Sequence, residues 1–149
     1  MKVDHVTPVL NVASVPESIA WFEGLGWERS FTWNDGGMIE GAGDSNQHGQ
    51  ADFGGIRSGS TTLFMCQDGQ GQRGAAPAAD PPSDDGAAGM WMSWWLDTPA
   101  DVDAAHQRAV EQGVVVTLPP TDEPWGVREC RIMHPDGHVF RISSGLDRA

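Results

Sequence analysis

The chain has 149 residues, 39% of them apolar, which suffices for one compact domain with a core or for two half-size modules that share one. Its formal charge of −12 disfavours nucleic acid as a partner and is compatible with a cationic small molecule, although such acidity more commonly serves solubility alone. Because no apolar run of about 18 residues exists and residues 1–5 lack the order of a secretory signal, we expect no membrane contact and a cytoplasmic location.

The first half, residues 1–67, predicts a strand, a helix and three further strands. Residues 4–12 are apolar and strand-like, and Ser14-x-x-Glu17 is a capping box that opens the helix. Gly24 and Gly26 end that helix. The later strand candidates are residues 28–33, 51–57 and 61–67. Residues 34–49 contain five glycines, so we expect a long surface loop there.

The second half, residues 90–149, repeats this order. Residues 90–96 predict a strand, Thr98 caps a helix with Pro99 at its first position, and Gly113 ends it. The later strand candidates are residues 114–118, 127–133 and 138–143. Residues 68–89, rich in Gly, Ala, Pro and Asp, predict a flexible linker. We therefore predict an α+β chain of two βαβββ modules that form one structural domain.

The most distinctive segment is the hairpin at residues 124–142, PWGVRECRIMHPDGHVFRI. Two strand-like runs flank a His-Pro-Asp-Gly turn, in which Pro135 presets φ and Gly137 tolerates a positive φ. The WGVR entry together with the PDG turn resembles the glyoxalase/bleomycin-resistance/dioxygenase superfamily, also called vicinal oxygen chelate proteins, and within it the bleomycin-resistance-like branch.

This resemblance implies a fold and an assembly. Paired βαβββ modules would form a curved mixed sheet around a cleft, and two chains would form a homodimer that often exchanges the first strand. Pro8, within the first predicted strand, is compatible with an edge position or an exchanged arm, because it cannot donate to a central ladder.

The resemblance also implies where a divalent metal would bind, on the first and last strands of each module. His5 matches such a position, and imidazole is a common ligand. Its counterpart in the second half is Met92, and Arg141 stands where the family's enzymes commonly carry a Glu. A metal site needs several convergent donors, so we predict no metal and no cofactor, with His5 as the one candidate ligand.

Seven tryptophans and no tyrosine make indole rings the leading candidates for ligand contacts. Alternation along the strand puts Trp91, Ser93 and Trp95 on one face and Met92 and Trp94 on the other, and either face could line the cleft. Packing in the core is the alternative role for these rings. Arg128 could equally pair with nearby carboxylates. The predicted ligand-binding residues are Trp33, Gln67, Trp91, Ser93, Trp95, Trp125, Arg128 and Arg141.

These observations favour a non-catalytic protein that binds and sequesters an aromatic or cationic small molecule, an antibiotic or a metabolite, as bleomycin-resistance proteins do. The alternative is a metal-dependent enzyme of the glyoxalase or extradiol dioxygenase type that uses His5 and one divalent metal. A metal-free enzyme of the same fold also stays open. No nucleophile elbow, phosphate loop or dinucleotide-binding turn is present in the sequence.

Overall fold

A computed structural model describes residues 1–34, 37–39, 51–68, 74 and 80–147. The chain divides into two compact units, Met1–Arg73 and Gly74–Ala149. Each unit contains one open mixed sheet with a helix on it, so the α+β class predicted from the sequence is confirmed. Among the described residues, no helix is long and apolar enough to cross a membrane.

The first unit contains five strands and one helix in the part that is described. Its sheet has the order β1-β5-β4-β2-β3, in which β1 pairs parallel with β5 and the other neighbours are antiparallel. The elements are β1 (Val9–Val12), α1 (Val15–Gly24), β2 (Glu28–Asn34), β3 (Gly37–Ile39), β4 (Phe53–Ser58) and β5 (Thr61–Gln67).

Strand β3 corrects the prediction of a surface loop over residues 34–49. Met38 pairs with Trp33, so the chain turns back on β2 before the remainder of that segment, which lies outside the described residues. Gly37, at φ +111°, has the backbone conformation that this reversal uses. The glycine content of the segment concealed a short strand whose only apolar signal was Met38 and Ile39.

The first strand is shorter than predicted. β1 begins at Val9 instead of residue 4, and His5 lies before it with an exposed side chain. Pro8 stands just outside β1, and its carbonyl accepts a hydrogen bond from the Phe64 backbone N–H at 3.0 Å. β1 is the edge strand of this sheet, which agrees with one of the two positions that Pro8 allowed, and exchange of this strand between chains stays a prediction.

The second unit has the predicted βαβββ order. Its sheet runs β6-β9-β8-β7, with β6 parallel to β9 and the other pairs antiparallel, and α2 packs on β7, β8 and β9. The elements are β6 (Trp91–Trp95), α2 (Pro99–Glu111), β7 (Val115–Glu123), β8 (Val127–Met133) and β9 (Val139–Gly145). The predicted cap of α2 is confirmed, since Thr98 and Asp101 form a reciprocal capping box.

The β8–β9 hairpin closes through the His-Pro-Asp-Gly turn. The Gly137 N–H donates to the His134 carbonyl at 2.8 Å, and Gly137 has φ +77°, as the turn chemistry predicted. The His134 ring is buried, and its Nδ1 accepts from the Asp136 N–H at 3.1 Å. Burial lowers the pKa of His134 to about 4, against the opposing effect of Asp136, so the ring is neutral at pH 7.

This neutral histidine predicts an acid-sensitive fold. Between pH 6.5 and 4 the unfolded chain takes up a proton at His134 that the folded chain does not, so stability falls as pH is lowered. His134→Asn keeps an acceptor for the Asp136 N–H and cannot titrate. We expect the stability advantage of the wild type over this variant to shrink by roughly 2 kcal/mol from pH 7 to pH 5. Urea unfolding at both pH values measures it, and a pH-independent difference would contradict the assignment.

Part of the segment predicted as a linker, residues 80–89, lies in the second unit against the hairpin. A Cβ placed on Gly89 would lie only 2.7 Å from the His138 backbone nitrogen. The next residue, Met90, donates its N–H to the His138 Nδ1 at 3.0 Å. Residues 69–73 and 75–79 lie outside the described residues, and the flexibility of residues 68–89 stays a prediction.

Candidate functional site

The two faces of the second sheet differ in what covers them. On β8, Arg128 donates from Nε to Asp103 of α2 at 2.7 Å, so the even-numbered residues of this strand face the helix. Glu129 and Arg131 therefore lie on the opposite side, which we call the open face. The strand register places Ser143 opposite Glu129 and Arg141 opposite Arg131 on that face.

Glu129 is the centre of the open face. Its side chain is 0% exposed, and both carboxylate oxygens accept hydrogen bonds. Arg131 Nε donates to Oε1 at 2.7 Å, Arg141 Nη2 donates to Oε2 at 2.6 Å, and Arg141 Nε also reaches Oε1 at 3.2 Å. Ser143 Oγ lies 3.3 Å from Oε2. This carboxylate fixes the positions of two guanidinium groups.

The ionisation of Glu129 follows from these contacts. Burial alone would raise the pKa of this carboxyl, but the hydrogen bonds from Arg141 and Arg131 outweigh it. The pKa of Glu129 therefore lies below its ordinary value, and the group is a carboxylate at neutral pH.

Two tryptophans stand beside this cluster on the edge strand β6. Trp95 pairs in register with Ser143 and is 65% exposed, and Trp91 is 44% exposed. The guanidinium carbon of Arg131 lies 5.6 Å from the centre of the Trp91 ring, a cation–π distance. The open face therefore combines indole surface with positively charged donors.

The alternate residues of β6 face the core. The Trp94 ring lies 4.5 Å from the ring of fully buried Phe140, and Met92 pairs with Phe140 in register. The sequence did not show which face of this strand packs in the core. The structure shows that Trp91, Ser93 and Trp95 occupy the face opposite α2. Trp94 has the core-packing role.

Asp84, before β6, adds one more charge to the cluster. Its carboxylate Oδ2 lies 3.5 Å from Arg131 Nη1 and 3.4 Å from the Thr117 hydroxyl of β7. The side chain of Asp84 is 11% exposed. A residue from the predicted linker thus contacts the open face.

The predicted ligand-binding residues fall into four places. Trp91, Ser93, Trp95 and Arg141 share the open face, so they form one candidate site. Arg128 lies on the other side of the sheet, where it binds both Asp103 and Asp122 at 2.7 Å, and we leave it out of that site.

Trp125 lies in the β7–β8 turn, exposed, where the Gly126 N–H donates to the Glu123 carbonyl at 2.9 Å. Trp33 and Gln67 belong to the first unit.

The corresponding surface of the first unit is aromatic. Gly54 of β4 lies against α1 on one side of that sheet. Because successive residues of a strand point to opposite faces, the adjacent Phe53 and Gly55 face the other side. There the rings of Phe31, Phe53 and Phe64 lie 5.2 to 5.8 Å apart. A Cβ on Gly55 would approach Phe31 and Phe64, so glycine makes room for these rings. Trp33 pairs with Phe53 in the same sheet.

Sequence reasoning missed Glu129, Arg131 and Asp84. The first two carried a readable signal, because in the run Arg-Glu-Cys-Arg they alternate onto one face of a strand, opposite the face of Arg128, Cys130 and Ile132. Asp84 carried none, since its contact with Arg131 joins positions far apart in the chain.

The residues of the open face do not fit a divalent metal. Such an ion needs several convergent oxygen or nitrogen donors, and the carboxylate of Glu129 is already held by two guanidinium groups, which repel a cation. Within residues 1–34, 37–39, 51–68, 74 and 80–147, no group of three or more His, Cys, Asp and Glu could hold a metal ion.

These features define a paired-module α+β protein with a polar and aromatic sheet face in its second unit. The family model of the Glyoxalase/Bleomycin resistance protein/Dioxygenase superfamily matches residues 2–142. The chain therefore belongs to this superfamily, as its hairpin motif predicted. No curated protein sequence matches the chain.

Solved structures share this fold at low sequence identity. TioX from Micromonospora sp. ML1 is 15% identical with a TM-score of 0.67, over 97% of this chain and 100% of TioX. A bleomycin resistance determinant encoded on transposon Tn5 is 16% identical with a TM-score of 0.60, over 96% and 98% of the two chains. A bleomycin-binding protein in complex with bleomycin is 17% identical with a TM-score of 0.59, over 96% and 99%.

Proposed function

We propose that this protein binds and sequesters a planar aromatic small molecule, an antibiotic or a metabolite, on the open face of its second unit, without a chemical step. The observation that carries the proposal is the exposure of Trp91 and Trp95 beside the ordered Glu129–Arg141 pair. Exposed indole rings on a strand are costly in water unless a guest covers them. Similarity to a bleomycin-binding protein supports a drug as the guest.

The rigidity of the polar cluster supports binding over catalysis. The hydrogen bonds from two arginines lower the pKa of Glu129 and occupy both of its oxygens, so this carboxylate is a weak and engaged base, which opposes a role in general-base catalysis. Ser143 is buried and lies 3.3 Å from that carboxylate. We therefore propose that the site acts without a metal and without a cofactor. It offers flat apolar surface and fixed donors, which orient a guest.

A thermal-shift experiment with bleomycin and a panel of planar aromatic antibiotics tests the proposed function. A ligand at about 100 times its Kd stabilises the native state by about 2.7 kcal/mol, which corresponds to a rise in Tm of roughly 5–10 °C. We expect such a rise with at least one compound on the panel. Unchanged melting temperatures across the panel, together with no detectable binding in the three-probe titration described below, would contradict the proposal.

The tryptophan variants localise the binding. Trp91→Ala and Trp95→Ala each remove on the order of 100 Å² of contact, so we expect each to weaken the affinity of the aromatic ligand roughly 10- to 50-fold. Titration calorimetry with the compound found in the thermal-shift panel measures this loss. Val110→Ala is the control, because Val110 is an exposed apolar residue of α2, on the other side of the sheet. An equal loss in the Val110 variant would refute the location.

The homodimer and the cytoplasmic location expected from the sequence stay predictions. Sedimentation equilibrium of the purified chain determines whether two copies associate.

A further inference from the structure

Without Asp84, the charged cluster of the open face would have an excess of one positive charge. Glu129 supplies one negative charge, and Arg131 and Arg141 supply two positive charges within 2.6 to 3.2 Å of its oxygens. The two arginine side chains are themselves largely covered. A charge that is removed from water in this way requires a counter-charge.

Asp84 is that counter-charge, and it is the weakly held member of the group. Its contacts with Arg131 and Thr117, at 3.5 and 3.4 Å, stand at the outer limit for hydrogen bonds, whereas the shortest bonds to Glu129 are 2.6 and 2.7 Å. Asp84 also lies outside any helix or strand, in the segment before β6. Its carboxylate is therefore the part of the cluster that another anion displaces at least cost.

The position of Arg131 connects this anion site to the aromatic surface. The same guanidinium group that contacts Asp84 also lies over the Trp91 ring. A ligand whose ring packs on β6 therefore places a substituent within reach of Arg131. A planar guanidinium group pairs best with a carboxylate, through two parallel hydrogen bonds.

We propose that the guest of the open face is an aromatic carboxylate, whose carboxylate group takes the place of Asp84 at Arg131 while its ring packs against Trp91 and Trp95. The inference rests on the proposed function and names the substrate class of that same site. For this ligand, the nearby positive charges of Arg131 and Arg141 matter more than the overall charge of −12, which by itself would favour a cation. Over distances beyond about 10 Å that overall field is screened by salt, and the contact with Arg131 is not.

Three naphthalene probes of matched ring size test the charge preference by titration calorimetry. They are 2-naphthoate, neutral 2-naphthamide and cationic 2-naphthylmethylamine. We expect 2-naphthoate to bind about tenfold tighter than 2-naphthamide. Asp84→Asn should tighten 2-naphthoate about tenfold further and leave 2-naphthamide unchanged, because only the anion competes with the native carboxylate.

Two arginine variants give the matched control. Arg131→Gln should abolish the preference for 2-naphthoate over 2-naphthamide, whereas Arg128→Gln, on the face towards α2, should retain it. Thermal melting verifies that each variant folds. If Arg131→Gln does not fold, the Asp84→Asn comparison alone decides between the outcomes.

The outcomes separate the two proposals. Equal binding of all three probes, or tighter binding of the cation, overturns the aromatic carboxylate as the guest and leaves the aromatic site in place. A preference for 2-naphthoate that Asp84→Asn does not change overturns the displacement of Asp84. Failure of all three probes to bind, together with unchanged melting temperatures in the antibiotic panel, overturns the proposed function as well.

Discussion

Replacing Glu129 by Gln is expected to destabilise the protein by about 3 kcal/mol. The variant keeps the shape of the side chain and removes the charge that Arg131 and Arg141 share. Both guanidinium groups would then be largely covered with only Asp84 to balance them. Removing one partner from a buried ion cluster lowers stability more than replacing the whole cluster by apolar residues does. The reason is that the remaining charges stay out of contact with water and have no counter-charge. Urea unfolding at pH 7 measures the loss.

The control and the pH dependence make this prediction specific. Glu111→Gln is the same substitution on the exposed end of α2, where the carboxylate accepts only from Gln107 among the contacts described, and it should change stability by less than about 0.5 kcal/mol. The lowered pKa of Glu129 means that its contribution is complete above the ordinary carboxyl pKa and is lost as pH falls through the lower folded value. The cost of Glu129→Gln should therefore be the same at pH 7 and pH 5.5. A cost no larger than that of Glu111→Gln would disprove the role of the buried charge.

The fold was predictable because its signals are local. The capping residues Ser14 and Thr98, the stop glycines and the His-Pro-Asp-Gly turn each act within a few residues, and the structure forms the elements that they indicated. The lengths of strands were less predictable. β7 extends to Glu123 instead of 118, because its pairing with β8 continues through two register shifts. Such irregularities depend on the partner strand and leave no pattern in the strand itself.

The site was predictable only in part. Alternation grouped Trp91, Ser93 and Trp95 correctly, but the choice of face depended on where α2 packs, which is a tertiary contact. The sequence showed that Arg141 stands where the family's enzymes commonly carry a Glu, and its partner Glu129 lies on the neighbouring strand, 12 positions away in sequence. Alternation along β8 could have placed Glu129 on one face with Arg131, but pairing between strands sets its contact with Arg141, which spacing alone could not assign.

Gly89 is a position where a single added methyl group is expected to be costly. Gly89→Ala should destabilise the protein by about 3 kcal/mol. The added Cβ would lie 2.7 Å from the His138 backbone nitrogen and closer still to the Gly137 carbonyl group. These are backbone atoms of the β8–β9 turn, which cannot rotate away as a side chain can. The start of β6 would have to move, with loss of the Met90 N–H bond to His138 and of the Val139 N–H bond to Met90.

Gly113→Ala separates this steric effect from the ordinary cost of replacing glycine. Gly113 has φ +68° and no atom within 4 Å of an added Cβ, so its substitution costs about 1 kcal/mol through the left-handed backbone conformation alone. Gly89 is the converse, with close neighbours and no left-handed conformation. Urea unfolding of both variants compares the two costs, and hydrogen exchange at Met90 and Val139 reports whether β6 has separated from β9. If Gly89→Ala costs no more than Gly113→Ala, the close packing of residues 80–89 on the hairpin is refuted. Asp84 would then lack the anchored segment that holds it near Arg131.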